Sequence, residues 1–324
     1  MRFEFVLAAY KEWGMGCLEE LNGMFAFAIY DRSQNELYLY RDRLGIKPLY
    51  YYWDGKNFAF ASELKSLTSL EQIPLEINHA AINRYLHFGY VPAPYSIYKN
   101  IYKMNSGTMM KISATGIETK KYWSIHNKIS SNLIVRDDQA MVKISDLMIS
   151  SVQYQLKSDV PFGVFLSGGI DSSLISAQAT MLSSIKVNTF SIGFEENSHN
   201  ESEYAKAVAN FLGTTHHEFI ISYKDALKLI DTITDTYDEP FADSSALASY
   251  VVAHKTKQYV TVALTGDGGD EVFKETWSKI EISKLLILSE IKDFVLKKRF
   301  PQHFVPNQTQ IPSRSGTVGF CTFS

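Results

Sequence analysis

Between Met24 and Ala61 apolar and polar positions alternate in four short runs, MFAFAIYD, ELYLYRD, PLYYYW and NFAFAS, separated by the turn-like DRSQN, DRLGIK and DGKN. A period of two puts alternate side chains on one face of a pleated strand, so the runs predict an antiparallel meander. SELKSL then begins a helix. HAAINRYLHFGY has helical spacing, VPAPYSIY is interrupted by proline, and TMMKIS with GIETKKYW predicts a hairpin. From Asp137 the pattern changes. DDQAMVKISDLMISSVQYQL predicts a helix with Asp137 or Asp138 as its cap, and the strands VPFGVFL and KVNTFSIGF alternate with the helical SSLISAQATML and ESEYAKAVANFL. HHEFIIS, YKDALKLIDTITDTY, ALASYVVAHKTKQ and YVTVALT extend the series as strand, helix, helix and strand, and Asn200 with Glu203 forms a capping box. Strands alternating with helices of this size predict βαβ units and a mainly parallel sheet.

The fold class that follows is α/β: a parallel doubly wound sheet preceded by a smaller, mainly antiparallel β domain. The expected boundaries are 1–68 for the β domain, 69–136 for a connector, 137–273 for the α/β domain and 274–324 for a divergent tail, helical at first and then without core-forming period. A chain of 324 residues is long enough for two such cores.

Composition narrows the partners. A formal charge of -3 gives no basic stripe for nucleic acid, and no apolar run is long enough to span a bilayer. The start, MRFEFVLAAYKEWG, is broken by Glu4 and does not read as a signal peptide. Two cysteines, Cys17 and Cys321, have no metal-type spacing, so a cytoplasmic protein without structural disulfides is expected.

The candidate chemistry lies at two strand ends, FLSGGIDSSL and LTGDGGDEVF. In an open parallel sheet, ligands sit outside the carboxyl ends of the strands. Ser167, Gly168 and Gly169 form a turn whose N–H groups can converge on an anion, and the helix starting near Asp171 adds its positive end. Asp171 repels a phosphate unless Mg²⁺ bridges them, and Ser172 can donate to a phosphate oxygen. A plain strand–helix turn accounts for the first motif alone. The second crowds Asp267, Asp270 and Glu271 around Gly266, Gly268 and Gly269, which favours a bound cation over a solvated acidic loop. His216 and His217 open a strand with no further ligand nearby, so a surface or packing role is expected, and His79, His87 and His254 read as structural. Tyr50 to Trp53 alternate as sheet core.

FLSGGIDSS, TFSIGFEENSHNESEYAKAVANFLGTTHHEF, YDEPFADSSALASYVVA and LTGDGGDEVF together resemble the synthetase domain of glutamine-hydrolysing asparagine synthetases, in that family's order. LNGMFAFAIYD and RDRLGIKPLYYY resemble the later half of its N-terminal-nucleophile glutaminase domain. The resemblance covers about Leu7 to Phe273 and implies a Rossmann-like ATP-pyrophosphatase fold for the α/β part. It implies that Leu166, Ser167, Gly168, Gly169 and Ile192 line an ATP site with Asp171 and Ser172, and that Thr265 and Gly266 contact the nucleotide. Asp171 and Asp270 would hold Mg²⁺, Asp267 would act around acyl-adenylate formation and attack by ammonia, and Asp238, Glu239, Ser244 and Ser245 would shape an aspartate pocket. The implied reaction makes β-aspartyl-AMP and pyrophosphate from aspartate and ATP, after which ammonia displaces AMP.

The chain departs from the family at both ends. No cysteine stands where the family has its glutaminase nucleophile, Arg2 replaces an acid expected to hold the glutamine amine, and after Phe273 the match stops. A chain truncated at both ends is expected, with a silent glutaminase half. Two other outcomes remain open: an inactive fragment that retains nucleotide binding, or a relative that amidates another carboxylate. A homodimer is an open expectation, as is the source of ammonia.

Overall fold

The computed structural model describes residues 3–129, 134–195, 202–243 and 245–269. These fall into two compact units: Met1–Ser131 with Thr234–Ala242, and Asn132–Ile233 with Asp243–Ser324.

In the first unit the elements run α1 (Phe3–Trp13), α2 (Cys17–Glu20), β1 (Ala26–Asp31), β2 (Glu36–Arg41), β3 (Tyr50–Trp53), β4 (Phe58–Ala61), α3 (Leu64–Thr68), α4 (His79–Phe88), β5 (Ile101–Lys103), β6 (Thr108–Ser113) and β7 (Gly116–Lys121). They make two antiparallel sheets, β1-β2-β6-β7 and β4-β3-β5. The period-two pattern decides the layering. Leu37, Leu39, Met110 and Ile112 face a core that also holds Tyr51 and Phe58 of the second sheet. Ile29, Tyr38, Tyr40 and Met109 point the other way, onto Val6 and Ala9 of α1 and Leu18 of α2. On the outer face of the second sheet Tyr52 meets Leu64 and Leu67 of α3. The unit is thus helix, sheet, sheet, helix in section. Residues 69–128 contribute β5, β6 and β7 to it.

The turn after β2 is organised by one carboxylate. Asp42, 1% exposed, accepts the N–H groups of Phe25 (3.2 Å), Leu44 (3.1 Å), Ile46 (2.9 Å) and Lys47 (2.9 Å). Arg41 donates to the carbonyls of Lys47 (2.9 Å), Gly45 (2.7 Å) and Met104. The loop therefore satisfies its own backbone from within.

The second unit carries α5 (Asp137–Gln155), β8 (Phe162–Phe165), α6 (Ile170–Leu182), β9 (Asn188–Phe194), α7 (Ser202–Leu212), β10 (Thr215–Ile221), α8 (Tyr223–Leu227), α9 (Ile230–Tyr237), α10 (Ser245–Thr256) and β11 (Val262–Leu264), the last turn of α9 belonging to the first unit. Its sheet is parallel throughout, in the order β10-β9-β8-β11. Helices cover both faces, as a doubly wound sheet requires. Val164 and Leu264 pack with Val152 of α5 and Ala179 of α6, and Leu166 packs with Ala177 and the α7 residues Ala205, Val208 and Ala209. On the opposite face Phe165 and Phe190 meet Val252 of α10. The predicted helix 223–237 is broken into α8 and α9.

Candidate functional site

The site grows from the carboxyl ends of β8, β9 and β11. Leu166, 1% exposed, donates its N–H to the Phe190 carbonyl at 2.8 Å, which fixes the chain as it leaves β8. Ser167, Gly168 and Gly169 then turn into α6. Gly168 has φ +84°, and a β-carbon there would fall 2.6 Å from Tyr204 Cβ and 2.7 Å from the Ala205 nitrogen, so only glycine fits between the loop and α7. The loop is tied by hydroxyls. Ser167 N donates to Ser172 Oγ at 3.2 Å, Gly169 N donates to Ser167 Oγ at 3.3 Å, and the two serine oxygens lie 3.0 Å apart. Ser173 Oγ donates to the Gly169 carbonyl at 2.6 Å.

β11 pairs with β8 in parallel, Leu264 opposite Val164, so the loops that follow the two strands start side by side. They meet at Asp171. A β-carbon on Gly266 would lie 2.7 Å from Ser172 N and 3.0 Å from the Asp171 carbonyl carbon, and one on Gly269 would lie 2.6 Å from Asp171 Oδ2. The glycines of the second loop are thus the room in which the Asp171 carboxylate sits. Asp267 N donates to Thr265 Oγ1 at 3.4 Å, and Asp267 is exposed. Asp270 and Glu271 lie outside the described residues, as do Asn200 and Ser244. Among the described residues no group of three or more His, Cys, Asp or Glu side chains is placed to hold a metal ion.

Beside the first loop is a cavity of about 270 Å³ lined from the sheet by Phe165, Leu166, Ser167, Phe190, Ser191 and Ile192. Across from the strands, α10 contributes Ser249 and Val252. The walls are apolar and aromatic, the polar groups hydroxyls. Below the rim, His216 on β10 bridges Thr189 (Nδ1 to Oγ1, 3.0 Å) and Ser191 (Nε2 to Oγ, 3.2 Å). Burial holds its imidazole below the ordinary 6.5, with smaller opposing and reinforcing influences from Glu218, His217 and Lys206. His217 stacks on Phe190 with centroids 5.0 Å apart, and burial lowers it as well. Both histidines are packing residues of the sheet faces.

Of the residues singled out in the sequence, Leu166, Ser167 and Ile192 share this cavity, while Gly168, Gly169, Asp171, Ser172, Thr265 and Gly266 form the adjoining loops. Ser245 opens α10, its N–H donating to Asp243 Oδ1 at 2.8 Å. Asp238 and Glu239 are engaged in the first unit. Lys65 Nζ is 3.3 Å from Asp238 Oδ1; Lys103 Nζ is 2.5 Å from Glu239 Oε2, and Ile97 N donates to Glu239 Oε1 at 2.7 Å. Both carboxylates are nearly buried, so these pairs anchor residues 234–242. Phe165, Phe190, Ser249 and Val252 lie inside the blocks that carry the resemblance but were given no role there; they come from the end of β8, the middle of β9 and one face of α10. Cys17 is fully buried in the first unit and burial pushes its thiol up, which unsuits it for nucleophilic attack.

The sequence patterns of two known domains match the chain: asparagine synthase over residues 143–278 and the glutamine amidotransferase domain over 3–123. A relative in Methanocaldococcus jannaschii that carries the glutamine-hydrolysing asparagine synthetase name is 39% identical over 274 residues, 83% of this chain and 53% of that one. Asparagine synthetase [glutamine-hydrolyzing] 1 of Bacillus subtilis is 37% identical over 271 residues, 83% of this chain and 42% of its own length. The chain belongs to the glutamine-hydrolysing asparagine synthetase family. It spans about half the length of the curated relatives it matches. The asparagine synthase match contains both glycine loops and α10, and the amidotransferase match contains both antiparallel sheets. No helix among the described residues is long and apolar enough to cross a membrane.

Proposed function

We infer that the second unit is an ATP-dependent amide ligase site that activates the side-chain carboxylate of aspartate as an adenylate, releases pyrophosphate and passes the acyl group to ammonia. The observation that carries this reading is the meeting of the two loops at Asp171, beside an apolar cavity of about 270 Å³. The cavity suits a flat purine, whose faces pack on aromatic and aliphatic side chains while the loop N–H groups and the α6 N-terminus receive the phosphates.

Residues 167–169 bind and orient the triphosphate, and Ser172 donates to it once its hydroxyl leaves the Gly169 carbonyl, to which it donates at 3.2 Å. The α-phosphate is thereby held in line for attack by the substrate carboxylate, and the approach is intramolecular in effect. Asp171, with Asp270, is the ligand set for Mg²⁺. Glycine at 269 lets the second loop close directly on the Asp171 carboxylate, and Mg²⁺ would need only one or two protein carboxylates beside phosphate oxygens and water. The ion, when bound, supplies charge neutralisation for the departing pyrophosphate. Asp267, exposed at the mouth of the second loop, takes the proton from ammonia as it attacks the adenylate. Asp238 and Glu239 hold residues 234–242, and the same reading assigns Ser244 and Ser245 to the aspartate pocket. This reading implies a cytoplasmic enzyme with small molecules as partners.

The test is pyrophosphate release from ATP by the full chain with Mg²⁺ and ammonium. Release that requires aspartate supports the reading. Release with a different acid only would move the chain to a relative that amidates another carboxylate, and nucleotide binding without release would make it a binding remnant.

A further inference from the structure

Three places in the sequence set Asn or Asp directly before glycine: Asn22–Gly23, Asp54–Gly55 and Asp267–Gly268. Such a pair can react with itself, because the glycine nitrogen reaches the side-chain carbonyl carbon with no β-carbon in the way. The structure treats the three differently. Asp267 belongs to the candidate site already described. Asp54 is locked: its Oδ1 accepts the N–H groups of Lys56 (2.8 Å) and Asn57 (2.6 Å), and its Oδ2 accepts from Asn57 Nδ2 and the Tyr52 hydroxyl, both at 3.0 Å. These bonds, the Asn57 N–H foremost, hold its carboxyl well below the usual carboxylate range. An ionised carboxylate held at both oxygens is a poor target for a nucleophile.

Asn22 is the opposite case. It lies between α2 and β1, where the chain is clamped on either side. The Glu19 carbonyl accepts from Arg43 Nη2 at 3.0 Å, Leu21 N donates to the Cys17 carbonyl at 3.2 Å, and Phe25 N donates to Asp42 Oδ2 at 3.2 Å. Leu21 and Phe25 are buried, whereas Asn22, Gly23 and Met24 between them are exposed. Neither the Asn22 side-chain amide nor the Gly23 N–H has a hydrogen bond to protein among the described residues. A β-carbon on Gly23 would meet nothing within 4 Å. The amide can therefore turn onto a nitrogen that has no bond to give up.

We propose that Asn22 is a self-modification site, at which the Gly23 nitrogen displaces the side-chain amide and water then opens the cyclic imide to aspartate or isoaspartate. The new bond joins Gly23 N to Asn22 Cγ, the bond from Cγ to the side-chain nitrogen breaks, and the backbone proton leaves with that nitrogen as ammonia. Water is the only co-reactant. The isoaspartate product routes the main chain through the side chain and lengthens it by one methylene between two fixed clamps. That pulls on the Phe25 N–H held by Asp42, so ageing loosens the turn that orders the first unit. None of this rests on the nucleotide reading.

The full chain is aged in neutral buffer made with heavy-oxygen water, either folded or in urea, and the tryptic peptide 12–32 is followed by mass spectrometry. Labelling by isoaspartyl methyltransferase is the second readout. Heavy oxygen is expected at residue 22, with the folded chain reacting within about threefold of its rate in urea, since a segment with no bonds to break needs no opening. A folded chain that reacts more slowly than that would overturn the assignment. Asn22→Gln, whose side chain would have to close a larger ring, should stay unlabelled at this position. Aged wild type is then expected to unfold at a lower urea concentration than aged Asn22→Gln, the two matching when fresh. Equal midpoints after conversion would overturn the link to the Asp42 turn.

Discussion

Two loops of this molecule follow strands, carry an aspartate and gather backbone N–H groups, yet they do opposite things with them. At residues 42–47 the N–H groups converge on Asp42, which is buried, and the anion they bind is part of the chain. At residues 167–172 the N–H groups of Ser167 and Gly169 are held by neutral serine oxygens at 3.2 and 3.3 Å, and the aspartate is turned toward the neighbouring loop. A charged acceptor binds N–H groups roughly twice as strongly as a neutral one. The first loop is therefore closed and rigid. The second has weak placeholders that a phosphate can replace. What separates a structural turn from a binding turn here is whether the anion is built in.

The comparison can be broken most sharply at Asp42. Its replacement by Ala leaves four donors without their acceptor in a partly buried turn, so a loss of about 3 kcal/mol is expected in urea unfolding of the first unit. Nucleotide binding by the other unit should survive. The counterpart Asp171→Asn should lower pyrophosphate release by about 10²–10³-fold while costing less on unfolding than Asp42→Ala. A stability loss as large as that at Asp42 would make Asp171 a structural acid like its counterpart. Gly168→Ala forces a β-carbon onto the α7 backbone at a left-handed φ, so about 2 kcal/mol should be lost on unfolding, along with triphosphate affinity. Ser172→Ala removes one placeholder and should cost about 1 kcal/mol while weakening the triphosphate more than the nucleoside.

The smallest effect is that of pH. His216 and His217 are lowered from 6.5 by burial, so below that value the unfolded chain binds more protons than the folded one. Their contribution is fully present above pH 6.5 and is lost as the pH falls through the lower folded values. Urea midpoints measured on a descending pH series should show this decline, and His216→Asn should flatten it.

Much of the second unit was legible because its signals are local. Strand ends, glycines and acids lie within a few residues of one another, and the parallel order follows from the alternation of elements. The pairing of the two loops was legible only as an expectation, since the register of β11 on β8 is a long-range fact. In the first unit the meander was visible as alternation. Residues 69–128, lacking chemistry and broken by proline, gave no sign that β5 joins one sheet while β6 and β7 join the other. Asp238 and Glu239 show the limit most plainly: their partners Lys65 and Lys103 lie far away in sequence, and no local pattern distinguishes an acid that anchors a segment from one that meets substrate.

The anchoring of residues 234–242 in the first unit has a consequence for synthesis of the chain. Because that unit takes its last piece from so late in the sequence, a ribosome cannot release it complete as soon as residue 131 emerges. The nascent sheets must wait, two lysines without their acids, until most of the parallel sheet has also left the tunnel. Neither half can then mature on its own schedule, and the last turn of α9 is where their timetables are joined.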